Sequence, residues 1–304
     1  MWATRGRDSG DSRRGGGTWG LAGVDEEVGA VRWIVALVVV LLMAGCSGPA
    51  PVPAGPGPAP APTPGPTATG RALPVYYVAE TAAGPRLFRE FHRVETADPA
   101  SDAVREMFAG AVDPDYRTLW PSGTSLRAPV EAAGGVITVD LAGVTPGAQV
   151  GSAGAELTVQ QLVYTVQGAL QSTDPVRILL DGEPVEELFG AVSTADPVRR
   201  ADQYATRSLV QIDAPADGAV VSGPVEVTGE AAVFEATVPW VVLRDGAVVQ
   251  EGFTSTAEGQ VFAPFSFTVE LEPGEYVVRI TEDDPSGGEG RPVLTDDKAI
   301  TVTG

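Results

Sequence analysis

The sequence predicts an α+β domain, a sheet with two helices, followed by an all-β sandwich, behind an export leader and a proline-rich tether. Three observations predict it. Residues 71–205 mix strand-like runs with two segments of helical periodicity. Residues 208–304 alternate apolar and polar side chains almost throughout, as half-buried strands do. Ahead of both, a short apolar run ends at the only cysteine of the 304-residue chain and gives way to repeated prolines.

The leader, residues 1–45, owes its assignment to Arg32, the unbroken apolar run Trp33–Met43 and the small residues Ala44 and Gly45. A positive charge, a short apolar core and small residues before a cleavage point form an export signal. The run is too short for a membrane-spanning helix, which needs roughly 20 residues. Cys46 stands at the cleavage point, and the segment resembles a bacterial lipobox with Met43 in the place usually held by Leu. That resemblance implies lipidation of Cys46 by palmitate-type chains. It also implies a partner in membrane lipid and a location on the extracytoplasmic face of the cell membrane. Residues 1–30 fit a leader poorly, being rich in Gly and Arg with Asp25, Glu26 and Glu27 beside the apolar core. A start at Val28 or Val31 is expected instead.

Residues 46–70 form the tether. Nine prolines between Pro49 and Pro66 alternate with Ala, Gly and Thr, so no core can form. Extended polyproline II at roughly 3.1 Å per residue gives a reach of about 70 Å.

Composition narrows the function. Arginine outnumbers lysine 19 to 1, with Lys298 the single lysine. Past residue 45 the chain carries 35 acidic and 15 basic residues. Such a field repels phosphate backbones and excludes nucleic acid as a partner. One cysteine permits no internal disulfide, so both folded parts must rely on their cores.

In residues 71–205, Leu73–Val78 and Arg86–Val94 read as paired strands about a Gly84-Pro85 turn. Asp98-Pro99 supplies a helix cap and a first-turn proline, Ala103, Val104, Met107 and Phe108 share a face, and Gly110 ends the helix. Ser125–Val130 and Val136–Leu141 read as a hairpin about Gly134-Gly135. Thr158 and Gln161 fit a capping box for a second helix with the stripe Leu162, Val163, Val166 and Leu170. Val176–Leu180 is a strand closed by Asp181-Gly182. Residues 183–207 read as a polar connection that permits relative motion of the two folded parts.

The blocks Val75–Val78, Leu119–Thr124, Val136–Leu141, Gln161–Val166 and Val176–Gly182 resemble the GerMN domain of sporulation and germination proteins. The chain departs from that pattern at Ala109–Thr118, where it has Gly110-Ala111-Val112-Asp113-Pro114-Asp115-Tyr116. The resemblance implies a small non-enzymatic fold, related to ring-building domains of envelope assemblies, with no catalytic residues to carry over.

Residues 208–304 hold 17 acidic and four basic residues, a net charge of −13. Val225/Val227, Phe265/Phe267/Val269/Leu271 and Tyr276/Val278/Ile280 alternate with mostly polar neighbours. Asp245-Gly246 makes a tight hairpin between Trp240–Arg244 and Ala247–Gln250, and Pro273-Gly274 makes a further turn. Six or seven short strands of this kind predict an immunoglobulin-like β-sandwich. Pro215–Gly218, Val221–Val225, Gly229–Ala236 and Ala263–Phe267 resemble the immunoglobulin-like domain of bacterial spore-germination proteins.

Candidate sites are few. His92 is the single histidine, so a catalytic triad or histidine-rich metal site is not supported. The loop Glu282–Glu289 with Asp296 and Asp297 offers hard oxygen ligands for calcium but lacks the alternation of a dedicated calcium loop. Glu186-Glu187 is a carboxylate pair in a turn region. Trp120, Trp240 and Tyr164 are candidate contact aromatics for glycan or protein, with core packing as the alternative. No cofactor, metal site or catalytic residue is expected. The reading is a lipid-anchored, non-enzymatic envelope protein for binding or assembly, with an envelope protein or wall polymer as partner. The alternatives are a peptidoglycan-binding module and an accessory subunit of a membrane sensor.

Overall fold

The computed structural model describes residues 70–145, 151–284, 286–287 and 289–304, with Ser152 in backbone only. All of them belong to one compact unit. The leader, most of the tether and Cys46 lie outside the described residues.

The first module opens with β1 (Arg71–Ala79) and β2 (Arg86–Val94), an antiparallel hairpin. Helix α1 (Pro99–Ala109) follows, with the Asp98 carboxylate accepting from the Ser101 N–H and Gly110 at a φ of 111° beyond its end. Both features match the sequence expectation. β3 (Ser125–Leu126), β4 (Glu131–Ala133) and β5 (Val136–Ala142) come next. Helix α2 (Ser152–Leu170) then carries the chain to β6 (Val176–Leu180), which lies parallel to β5. The short strands β7 (Glu183–Pro184), β8 (Glu187–Leu188) and β9 (Val192–Ser193) and the single turn α3 (Gln203–Thr206) complete the module.

Three local expectations are corrected. The segment 125–130 is not one strand: β3 and β4 pair separately with opposite ends of β5, and only β4 forms the hairpin about Gly134-Gly135. The second helix starts at Ser152 rather than Thr158. The Thr158 hydroxyl donates to the Gly154 carbonyl one turn back, whereas an N-cap oxygen must accept a backbone N–H. Gln161 is buried, and its Oε1 accepts the Leu119 N–H. The strands form no single sheet. β1 and β2 stand as their own pair, while β3, β5, β6 and β7, with β4 on β5, make another. α1 and α2 pack on each other and on β1. Leu73, Val75 and Tyr77 of β1 enter the main core, and Tyr76 and Val78 make a second cluster with Leu87 and Tyr164. The stripe Leu162, Val163 and Val166 is fully buried.

The second module has eight strands where the sequence suggests six or seven: β10 (Val210–Ala214), β11 (Ala219–Ser222), β12 (Val225–Ala231), β13 (Thr237–Arg244), β14 (Ala247–Ser255), β15 (Ala263–Val269), β16 (Gly274–Thr281) and β17 (Thr295–Thr303). They form two sheets, ordered β10-β12-β15 and β11-β17-β16-β13-β14. Val227, Phe265 and Val269 from one sheet meet Val238, Val242, Val278 and Ile300 from the other. Gly229 is required inside β12, since a Cβ there would stand 2.1 Å from the Gln211 carbonyl oxygen. Among the described residues no helix is long and apolar enough to cross a membrane.

Candidate functional site

Two features stand out: a buried charge cluster between the modules and an apolar face on the sandwich. The cluster begins in the loop after α1. Asp113 turns that loop by accepting the Tyr116 and Asp115 N–H groups, which sets its own side chain and the Tyr116 ring toward β17. In β17 the inward positions are Asp296, Lys298, Ile300 and Val302, so the strand's alternation delivers an acid and a lysine to the interior. Lys298 Nζ donates to Asp113 Oδ2 at 2.7 Å, the Tyr116 hydroxyl oxygen at 2.7 Å and Asp296 Oδ1 at 2.9 Å. An ammonium has three donors, and all three are used. Asp296 also accepts from the Tyr116 hydroxyl at 2.7 Å and the Ile212 N–H at 2.6 Å. Burial pushes the Asp296 carboxyl up and outweighs the pull of Lys298. Burial opposes the charge on Lys298, but Asp296 and Asp113 outweigh it and hold the pKa high.

Glu90 extends the network into the first module. It accepts the Val112 and Asp113 N–H groups and faces His92 Nε2 at 2.9 Å. His92 Nδ1 lies 2.8 Å from Glu106. Burial raises the Glu90 carboxyl, but the His92 hydrogen bond and the two backbone donors outweigh it and leave the pKa lowered.

A second set of charges fixes the start of the sandwich. Arg89 meets Asp213 at 2.7 Å and Glu230 at 3.4 Å, and Arg207 pairs with Glu230 while stacking on Phe262. The connection expected to permit motion is strapped down. Val198 bridges Val176, the Gln160 amide bonds Arg199 and Ala201, the Tyr164 hydroxyl donates to the Ala201 carbonyl, and Ser208 N–H donates to Leu87. Of its polar side chains, Arg200 donates to Gln167 of α2 at 2.7 Å, and Asp202 caps α3.

The remaining candidates are scattered. Cys46 lies outside the described residues. Glu186 and Glu187 are exposed. In the acidic loop Glu282 pairs with Arg291, Asp284 accepts from Ser286, and Asp296 points into the junction, so the calcium-type donors are not brought together. Among the described residues no acid, histidine or cysteine cluster suits a metal. Trp120 is buried against Phe108 and Phe189, Tyr164 is fully buried, and Trp240 stacks on Phe267 at 4.8 Å. All three are packing residues, not a displayed aromatic platform.

The apolar face lies on the outside of the five-stranded sheet. Val238 and Val242 of β13 point inward, so Pro239, Val241 and Leu243 point out. Register places Phe253 beside Pro239, Val248 and Val277 beside Leu243, and Ala299 beside Val277. Phe253 is 74% exposed and Val248 52%, while Val220, 69% exposed, stands on β11 at the opposite edge of the sheet. A cleft of about 450 Å³ runs over Leu243, Val277 and Ala299. Asp245 and Glu275 line it, Glu251 sits opposite Val241, and Arg279 is paired to Asp297 at 2.8 Å.

Residues 74–186 match the family model described as sporulation and spore germination, and residues 209–289 match that of the immunoglobulin-like domain of bacterial spore germination. This chain is a GerM-related protein. The tandem GerMN domains of the sporulation protein GerM from Bacillus subtilis are similar to it at 20% identity, over 46% of this chain and 48% of that one, with a TM-score of 0.36. A Clostridium perfringens protein described as a lipoprotein is similar at 14% identity, over 45% and 93%, with a TM-score of 0.31. CopC from Methylosinus trichosporium OB3b is similar at 20% identity, over 31% and 92%, with a TM-score of 0.24. The GerM-related chain thus spans about half of the Bacillus structure. No curated protein matches it. The families are germination-type structural modules, not known enzymes. In this GerM-related protein, the loop Ala109–Thr118 that departs from the GerMN pattern is the one that carries Asp113 and Tyr116 to the second module. Sequence reasoning missed that role; the signal available was the single lysine in an arginine-rich chain.

Proposed function

We propose that this GerM-related protein is a lipid-anchored, non-enzymatic envelope component that binds a protein partner through the outer face of its sandwich. The apolar face of β13, β14 and β16 carries the proposal. A water-facing side of an antiparallel sheet is ordinarily polar. Here two apolar groups, Pro239 with Phe253 and Leu243 with Val248, Val277 and Ala299, lie on either side of a charged row in which Glu251 and Arg279 flank Val241. Exposed apolar surface of this kind, set among charges, marks an interaction site. The charges supply the partner's chemistry. Asp245 and Glu275 line the cleft, Glu251 crosses the face beside Val241, and Arg279 is offset by Asp297, on a module of net charge −13, which opposes pairing with a second copy. A partner whose apolar side chains are interspersed with Lys and Arg complements it. Burial of Trp120 and Tyr164, and the stacking of half-buried Trp240 on Phe267, argue against the wall-glycan alternative.

Site-specific photocrosslinking in cells tests the face. A probe at Phe253 should yield a discrete adduct with one basic envelope protein, weakened by salt and lost in Val248→Glu. Adducts with wall polymer, or with a second copy of the chain, would overturn it. Anchoring is tested separately. Cys46→Ala should move the protein from the membrane fraction to the medium, and retention in the membrane would overturn the lipid anchor.

A further inference from the structure

The single lysine is buried where an arginine would serve an ion pair at least as well, since a guanidinium grips carboxylates with a planar fork. A guanidinium, however, does not lose its proton in proteins, whereas an amine can become a nucleophile. Lys298 Nζ lies 2.7 Å from the Asp113 carboxylate and 2.9 Å from Asp296, and all three side chains are 3–4% exposed. The Tyr116 ring, stacked on Phe88 at 5.0 Å, packs beside them. Amine, carboxyl carbon and a second acid thus sit together in a site nearly shielded from water, at the base of a cleft of about 170 Å³ lined by Asp113, Tyr116 and Asp296.

We propose that Lys298 and Asp113 condense to an isopeptide bond that joins the two modules covalently, with Asp296 as proton relay. Asp296 takes a proton from the ammonium, which frees the nitrogen lone pair to attack Cγ of Asp113. The C–N bond forms and one Cγ–O bond breaks. The two protons shed by nitrogen leave with that oxygen as water, one of them by way of Asp296. Ammonium and carboxylate become amide and water, charge is conserved, and no oxidant or co-reactant is needed. Asp296 ends as a carboxylate, accepting from the new amide N–H, the Tyr116 hydroxyl and the Ile212 N–H. Burying an ion pair carries a large desolvation penalty, and the neutral amide removes it. The burial that pushes the Asp296 carboxyl up suits a group that holds the proton in transit. The bond does not depend on the partner-binding face.

Because Lys298 is the only lysine, the bond can be counted. The full chain is unfolded in guanidinium, treated with an amine-acylating reagent and digested. The expected result is no acylated lysine, and an Asp113 peptide joined to the Lys298 peptide with a mass one water below their sum. Asp296→Asn keeps the side-chain volume but removes the relay, and its lysine should acylate fully. Wild-type protein that yields an acylated Lys298 and two separate peptides overturns the proposal and leaves an ion pair. That measurement stands whether or not the Asp296 variant folds.

Discussion

His92 binds two carboxylates at once, which only its charged form can do by donating from both nitrogens. Burial works against the imidazolium, but Glu90 and Glu106 outweigh it and raise the pKa above 6.5. A raised folded-state value gives stability that is fully present below the unfolded pKa of about 6.5 and lost as pH climbs through the folded value. The thermal midpoint of the wild type should therefore fall as pH rises across neutrality, and His92→Ala should flatten that slope. Equal slopes in the two proteins would rule the mechanism out. Gly252 gives a second prediction at this scale. It lies opposite Trp240, and a Cβ there would stand 2.5 Å from the indole Cζ2. Gly252→Val should displace the indole from Phe267, changing tryptophan fluorescence and costing about 1–3 kcal/mol in urea unfolding.

Elements owe their ends to a few side chains. Asp98 accepts the Ser101 N–H at the head of α1, so Asp98→Ala should cost about 1 kcal/mol by urea titration. The strand β14 behaves differently along its two sides. Gln250 and Thr254 donate to the Glu270 and Ser266 carbonyls across the sandwich, while Val248 and Phe253 face outward. Phe253→Ser should change stability by no more than about 0.5 kcal/mol, as exposed substitutions do. A large loss of stability would mean that this face is part of the fold rather than a surface kept for a partner.

At the scale of the whole molecule, the two modules are tied at three places: the Lys298 cluster, the Arg89–Asp213–Glu230 group and the strap of residues 198–208. The wild type should unfold in one calorimetric transition. Arg89→Ala leaves Asp213, whose pKa burial already raises, without its main counter-charge. The loss should fall near the lower end of the about 2–5 kcal/mol expected for truncating a buried charge pair, because both side chains keep some exposure. It should also split the transition in two. A single transition in both proteins would show that the other ties suffice.

The order of folded parts, the α1 cap at Asp98 and Gly110, and the hairpin at Asp245-Gly246 were legible because they rest on neighbours in sequence: a proline after an acid, a glycine past a stripe, a turn between alternating runs. The true start of α2 was not, because Thr158 and Gln161 copy a cap's spacing while their side chains answer to Gly154 and Leu119. Tertiary structure alone decided the rest. Asp113 and Lys298 are 185 positions apart, and no local pattern says that they meet. The outer face of β13 likewise emerged only from register, because Val238–Leu243 is apolar on both sides, and only the opposing sheet fixes which side is covered. Periodicity reports how a segment meets water; it carries no term for what else in the chain will stand beside it.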